Sequence, residues 1–375
     1  MLLHQILLKD GDKKMMRLAN ADGKVWIVPM QDIKTGLDLY QPSGWKGRWL
    51  KRLLPFVGKW KVVRQLLHFE TFEGRLSPTL VDAITQTFGS GNFEYSIFGG
   101  TPGARQKVTI QVFQGHRILG YVKVTDQTDV ADSFLHEAQL LKELKQKGVK
   151  GIPEALACGE TTDGLHYFAQ TTTKSRHSTY PHQWTALHET FVDQLHDATK
   201  TVLRYEETDF FQMMQVLRDR MGWLNDKQQR IVQQALKVAE KPLLEKTVEW
   251  SAYHGDFTPW NMFMEGGELF VFDWEYALRT CLLGLDRYHF LTQTLVFEER
   301  CNAEEILSFF RKKIGISKKY HYLCYLLTNI AIYIGRESDP SGVAHIQMMD
   351  TWMTLLDRLN EEYGKDSLLS PAQRP

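Results

Sequence analysis

The chain has 375 residues, and its 45 Lys+Arg balance its 45 Asp+Glu, so bulk charge gives no case for nucleic acid as a partner. Hydrophobic residues at 43% and charged residues at 24% are the balance of a soluble globular protein, long enough for two or three cores. Cys158, Cys281, Cys301 and Cys324 lie far apart with no Cys-x-x-Cys pair, which indicates neither a zinc site nor a disulfide framework. A reducing cytoplasm is the expected compartment. The opening residues Met1–Asp10 are too short and interrupted a run for a signal peptide, and no stretch is apolar enough to predict a membrane span.

Residues 1–75 read as a small separate layer. Gln5–Leu8 and Val25–Pro29 are short apolar runs divided by the turn signals Asp10-Gly11-Asp12 and Asp22-Gly23. A basic aromatic stretch follows. Between Leu39 and Phe69 there is no acidic residue, while Lys46, Arg48, Lys51, Arg52, Lys59, Lys61 and Arg64 are interleaved with Trp45, Trp49, Phe56 and Trp60. Three readings of 45–64 stay open: a peripheral membrane contact, a dock for an anionic substrate, or a solvated face whose aromatics pack on the neighbouring lobe. Ser77-Pro78 then opens a helix that Gly89-Ser90-Gly91 closes. Phe93–Phe98, Lys107–Phe113 and Ile118–Val124 read as strands, Ser133–Lys147 as a helix, and 155–159 with 166–170 as a hairpin around Asp163-Gly164. Residues 183–250 carry helix-period apolar residues, as do 303–363, and the tail 366–375 is polar.

The densest chemistry lies in Tyr253-His254-Gly255-Asp256-Phe257-Thr258-Pro259-Trp260-Asn261, followed by Asp273-Trp274-Glu275. Asp256 and Asn261 share a loop punctuated by Gly255 and Pro259, and Asp273 ends the apolar run Leu269–Phe272. A loop carboxylate, a loop amide and a strand-end carboxylate that converge could orient a hydroxyl and hold a divalent cation on phosphates.

His-Gly-Asp-x-x-x-x-Asn followed by Asp-Trp-Glu resembles the catalytic and metal-binding loops of the aminoglycoside phosphotransferase and choline kinase family, over roughly residues 90–360. Thr258 stands where many members have His, and Trp260 where they have Gly. The resemblance implies an α+β, two-lobed protein-kinase-like fold: an antiparallel β N-lobe (76–172) and a mostly helical C-lobe (173–365), here behind the extension 1–75. It implies Asp256 as catalytic base, His254 shaping its loop, and Asn261 and Asp273 as ligands of Mg²⁺. For ATP it implies Lys123 fixed by Glu137, the glycine-rich turn Gly99-Gly100-Thr101-Pro102-Gly103 over the phosphates, and the linker with Gln170 and Thr172 along the adenine edge. Lys107, opening its strand, would point elsewhere. Asp286 would brace the catalytic loop, although the flanking Pro often found there is missing.

The implied activity is transfer of the ATP γ-phosphoryl group to a hydroxyl of a small molecule: a sugar, amino alcohol, aminoglycoside or surface-glycan precursor. The basic stretch favours an anionic or membrane-linked acceptor. A cationic acceptor would instead draw on Glu206, Glu207, Asp209 and Trp223. The alternative is a nucleotide-binding pseudokinase acting as a partner module. His-Gly-Asp in place of His-Arg-Asp, and Asp-Trp-Glu in place of Asp-Phe-Gly, weigh against a protein kinase.

Overall fold

The computed structural model describes residues 2–20, 23–40, 45–66, 69–89, 91–101, 103, 105–313 and 319–368. Of the residues singled out by sequence, Asp22, Ser90, Pro102 and the tail residues 369–375 lie outside these, as do the side chains of Trp45, Lys46 and Arg48. Two compact units result. One comprises Met1–Gln146, Lys150–Tyr180 and Phe263–Glu275; the other comprises Lys147–Val149, Pro181–Met262 and Tyr276–Pro375. No helix among the described residues is long and apolar enough to cross a membrane.

In the first unit a short helix, α1 (Leu2–Ile6), leads into a long strand, β1 (Leu7–Ala19). The Asp10-Gly11-Asp12 turn expected there is instead a bulge within β1. Its partners on β3 (Glu70–Leu76) jump from Leu8–Arg75 to Lys13–Gly74. Glycine is required at the bulge because a Cβ on Gly11 would lie 2.2 Å from the Gly74 carbonyl carbon. With β2 (Val25–Pro29), β4 (Glu94–Phe98), β5 (Val108–Gln114), β6 (Arg117–Thr125), β7 (Ala155–Glu160) and β8 (His166–Thr171), these strands form one eight-stranded sheet, ordered β3-β1-β2-β4-β5-β6-β8-β7. Among the described residues all of its pairings are antiparallel. Residues 1–75 are therefore not a separate layer: Trp26 and Ile27 of β2 pair with Phe98 and Ile97 of β4, and the ladder runs through.

The helices of this unit follow their sequence signals. The short α2 (Ile33–Gly36) is capped by Asp32, whose carboxylate accepts from Thr35 N–H. The basic aromatic stretch forms α3 (Trp45–Val57) and α4 (Lys61–Leu66). Ser77 caps α5 (Pro78–Phe88), and Gly89 ends it at a φ of +69°. On α6 (Thr128–Gln146), Phe134, Ala138, Leu141 and Leu144 are buried, and so is Glu137 on the same helix.

The second unit is mostly helical. It contains α7 (Ala186–Thr199), α8 (Asp209–Asp219), α9 (Asp226–Glu240), α10 (Leu285–Phe297), α11 (Ala303–Lys313), α12 (Lys319–Arg336), α13 (Pro340–Val343) and α14 (Met349–Leu368). A three-stranded sheet joins β9 (Thr201–Arg204) and β10 (Thr247–Tyr253) to a last strand, β13 (Leu278–Cys281). The aromatic-rich α12 is the core of this unit, buried continuously from Tyr322 to Ile332 and contacted by α8, α9, α10 and α14. An apolar stripe all round a helix is what burial on every side produces. Between the chain's passages through the second unit, β11 (Met262–Glu265) and β12 (Glu268–Val271) form a hairpin. Gly266 (φ +59°) and Gly267 (φ +85°) supply its tight turn.

Candidate active site

Two constellations of chemically capable side chains stand out, one in each unit. In the first unit the centre is Lys123 on β6. Its Nζ donates to Glu137 Oε2 (2.6 Å) and to Asp273 Oδ1 (2.6 Å). The other Glu137 oxygen accepts the backbone N–H of Trp274 (3.1 Å). One buried carboxylate thus fixes both the lysine and the backbone beside Asp273. Asp273 follows β12 at a φ of +68°, a left-handed bend that Asp tolerates better than most residues. Burial opposes the charge on Lys123, but Asp273, Glu137 and Glu275 together outweigh it and raise its pKa above the ordinary lysine value. Complete burial raises the Glu137 carboxyl, against the pull of Lys123.

Lys107 does not point elsewhere. Its Nζ donates to Glu275 Oε2 (2.5 Å) and lies 3.4 Å from Asp273 Oδ1. Sequence reasoning missed this because of a one-residue irregularity in the β5–β6 ladder. Gln114 pairs with Arg117 and Phe113 with Ile118, but Val112 pairs with Gly120. A regular ladder would set Lys107 on the face opposite Lys123. The slip reverses that and puts both lysines on one face.

In the second unit, β10 delivers the His-Gly-Asp loop. Gly255 is at a φ of +82°, and a Cβ there would meet the Tyr276 carbonyl oxygen at 2.3 Å, so the motif's glycine is obligatory. Buried His254 donates its backbone N–H to Asp286 (3.1 Å) and accepts the Asp256 N–H on Nδ1 (3.2 Å). Asp286 on α10 is the brace the sequence implied, and its burial, only partly offset by backbone N–H groups of His254 and Gly255, pushes its pKa up to about 8. Asp256 is held at both oxygens. Asn261 Nδ2 donates to Oδ2 (2.7 Å) and also to the Asp256 carbonyl (3.0 Å), and His289 Nε2 meets Oδ1 at 3.0 Å. A carboxylate only accepts, so Nε2 carries the His289 proton. His289 Nδ1 is buried with no hydrogen-bond partner among the described residues. His289 was not read from sequence, although it lies three residues beyond Asp286 on one helix, the spacing that shares a face.

The remaining candidates divide. Gly100, at a φ of +77°, is required by the backbone leading into β5, since a Cβ would lie 2.0 Å from the Lys107 carbonyl oxygen. Gly99 donates its N–H to Val25, whereas Gly103 has open space around it. Gln170 is buried within β8 with its Oε1 lacking a partner among the described residues, and Thr172 Oγ1 accepts the Lys174 N–H. The residues considered for a cationic acceptor have other partners. Asp209 accepts backbone N–H groups of Arg279 and Thr280, Glu207 accepts the Arg204 N–H, and Trp223 stacks under Arg220 at 4.3 Å. His188, buried and pushed down to about 4 by burial, caps α7 by accepting the Thr185 N–H.

Residues 120–280 match the model of the phosphotransferase enzyme family APH, a span that contains Lys123, Glu137, His254, Asp256, Asn261 and Asp273. Among solved structures, a thermostable variant of the aminoglycoside phosphotransferase APH(4)-Ia in ternary complex with AMP-PNP and hygromycin B is 15% identical. It covers 76% of this chain and 98% of its own, with a TM-score of 0.50. The apo form of such a variant is 14% identical over 75% of this chain and 98% of its own (TM-score 0.49). The GDP complex of aminoglycoside 2′-phosphotransferase-IIIa is 14% identical over 76% of this chain and 100% of its own (TM-score 0.45). No curated protein matches the chain by sequence. The fold is thus α+β and protein-kinase-like, and residues 120–280 are similar to the phosphotransferase enzyme family.

Proposed function

We propose that the protein is an ATP- and Mg²⁺-dependent phosphotransferase that moves the γ-phosphoryl group to a hydroxyl of a small molecule. The observation that carries this reading is the fixed Lys123–Glu137–Asp273 set, in which a buried acid locks a cation beside a strand-end carboxylate. Lysine held this way meets nucleotide phosphates, and the adjoining carboxylate serves a metal on them. The chemistry of the donor set suits both groups. No three His, Cys, Asp or Glu side chains gather into a metal site among the described residues. A Mg²⁺ shared with phosphates needs only one or two protein oxygens, and Asp273 and the Asn261 amide oxygen would supply them. When bound, Mg²⁺ would offset the charge on the phosphates. Lys107 and Lys123 add two cations, and the orphaned Gln170 Oε1 is a buried acceptor for a nucleotide base.

In this reading Asp256 orients the acceptor hydroxyl and takes its proton. The acceptor oxygen bonds to the γ-phosphorus as the bond to the β–γ bridging oxygen breaks, and ADP leaves. His289 steadies Oδ1 and Asn261 steadies Oδ2, so the carboxylate is positioned before the acceptor arrives. The acceptor is a sugar, an amino alcohol, an aminoglycoside or a surface-glycan precursor. The basic stretch 45–64 favours an anionic or membrane-linked one, and the demand for ATP places the reaction in the cytoplasm.

The test is consumption of Mg-ATP by wild type and Asp256→Asn against a mixed library of these acceptors, with products read by mass spectrometry. Wild type is expected to yield a phosphorylated product, and Asp256→Asn to lower kcat by roughly 10²–10⁴. Near-normal turnover in the variant would remove Asp256 from the role of base. No product from wild type, with Mg-ATP still bound, would favour the pseudokinase.

A further inference from the structure

We propose that the corner formed by α3 and α4 docks on an anionic lipid surface. The two sides of α3 have opposite fates. Leu54 is fully buried with Ile33 and Leu37, and Leu50 packs against the same cluster. The other side carries Trp49, Leu53 and Phe56 at the i, i+4, i+7 spacing that shares a helical face. Trp60, Val62 and Leu66 continue the apolar run on and after the turn. These six side chains are between 48% (Leu53) and 77% (Leu66) exposed, half of the exposed large hydrophobic side chains among the described residues.

The corner is held in shape. Arg64 Nη1 donates to the carbonyls of Gly58 (3.2 Å) and Lys59 (2.6 Å), tying α4 back onto the end of α3. Lys51 Nζ donates to the Tyr40 carbonyl (2.7 Å), which fixes the inner side of α3. The outer apolar side chains are thus presented by a braced element. Exposed apolar side chains gathered in this number on one braced element mark an interaction surface.

Charge selects the occupant. The exposed charged residues described between Trp49 and Leu66 are Arg52, Lys59 and Lys61, and no Asp or Glu occurs between Leu39 and Phe69. A second copy of this chain meeting the patch across a two-fold axis would set these cations against themselves. A negatively charged lipid surface attracts them and admits the Trp, Phe and Leu side chains to the level where aromatic residues settle at interfaces. The thirteen residues of α3 are too few to span a bilayer, so the helix would lie along the surface. Nothing in this argument uses the kinase reading, and its test reads no activity.

The test is co-sedimentation of the full chain with vesicles of phosphatidylcholine alone and with vesicles of equimolar phosphatidylcholine and phosphatidylglycerol. Binding is expected to the mixed vesicles, weakening with salt, and to be roughly tenfold or more weaker on phosphatidylcholine alone. The pairs Trp49→Ser with Phe56→Ser, and Arg52→Glu with Lys61→Glu, are each expected to lose roughly tenfold or more. Their thermal midpoints should match wild type, because the replaced side chains are exposed. Absence of binding, or equal binding by wild type and both variants, would overturn the proposal. So would a dimer in light scattering that Phe56→Ser dissociates. Dextran sulfate that binds equally well to the Trp49→Ser, Phe56→Ser variant and displaces the vesicles would also overturn it, in favour of a soluble polyanion.

Discussion

The Lys123 cluster and the Asp256 cluster both organise carboxylates, by opposite means. Around Lys123 the acids Glu137, Asp273 and Glu275 are met by cations, Lys123 and Lys107. Around Asp256 the acid is met by an amide and an imidazole N–H, and its loop is anchored by Asp286 through backbone hydrogen bonds. An ionic network with two lysines has charge to redirect when a polyanion and a metal arrive. A carboxylate held by N–H donors keeps its own charge and one fixed geometry. The first arrangement suits binding of phosphates, and the second suits handling a proton.

The largest effect is expected at Lys123. Lys123→Met strands the wholly buried Glu137 without its cation, and removing one member of a buried pair costs about 3–5 kcal/mol. A large fall in thermal midpoint is expected, with most of it restored by adding Glu137→Gln. An unchanged midpoint would show that Glu137 is not paired as described. In the other cluster, a hydrogen bond to a charged group is worth about 1.5–3 kcal/mol. His289→Leu is therefore expected to lower kcat by roughly 10–100-fold with nucleotide affinity unchanged, and His289→Gln to recover much of it. Equal losses in the two variants, together with a lowered midpoint, would make His289 a packing residue only.

A smaller effect separates the two clusters by pH. The Asp286 carboxyl stands at about 8 in the folded chain, above its ordinary 3.8. Below the lower value both states hold the proton and the contribution to stability is complete. As pH rises toward 8 the unfolded chain loses its proton first, and that stability is lost progressively. The wild-type midpoint should therefore drop more between pH 5 and pH 8.5 than that of Asp286→Asn. Parallel pH profiles would contradict the raised carboxyl.

Much of this was legible in the sequence where local order carries the information. The spacing of His254, Asp256 and Asn261 reads directly because Gly255 and Pro259 shape a short loop. The pairing of Lys123 with Glu137 was implied by the resemblance, through a strand lysine followed by a helix carboxylate. What failed depended on register or on distant contact. Lys107 was misplaced because a ladder slip between Val112 and Phe113 exchanges the faces of β5, and no residue type announces it. The first 75 residues looked separate because Asp10-Gly11-Asp12 has turn composition, yet Gly11 folds as a bulge against Gly74. His289 went unread because a lone histidine in an apolar helix carries no signal until Asp286 is known to face the loop.

The most direct test of the division between phosphate handling and proton handling is calorimetric titration of ATP, with and without Mg²⁺, into wild type, Asp273→Asn and Asp256→Asn. Asp273→Asn is expected to lose the Mg²⁺-dependent part of its affinity by roughly 10–100-fold or more, while Asp256→Asn binds Mg-ATP as wild type does. Unchanged Mg²⁺-dependent binding by Asp273→Asn, or equal losses in both variants, would contradict the assignment of the two clusters to different tasks.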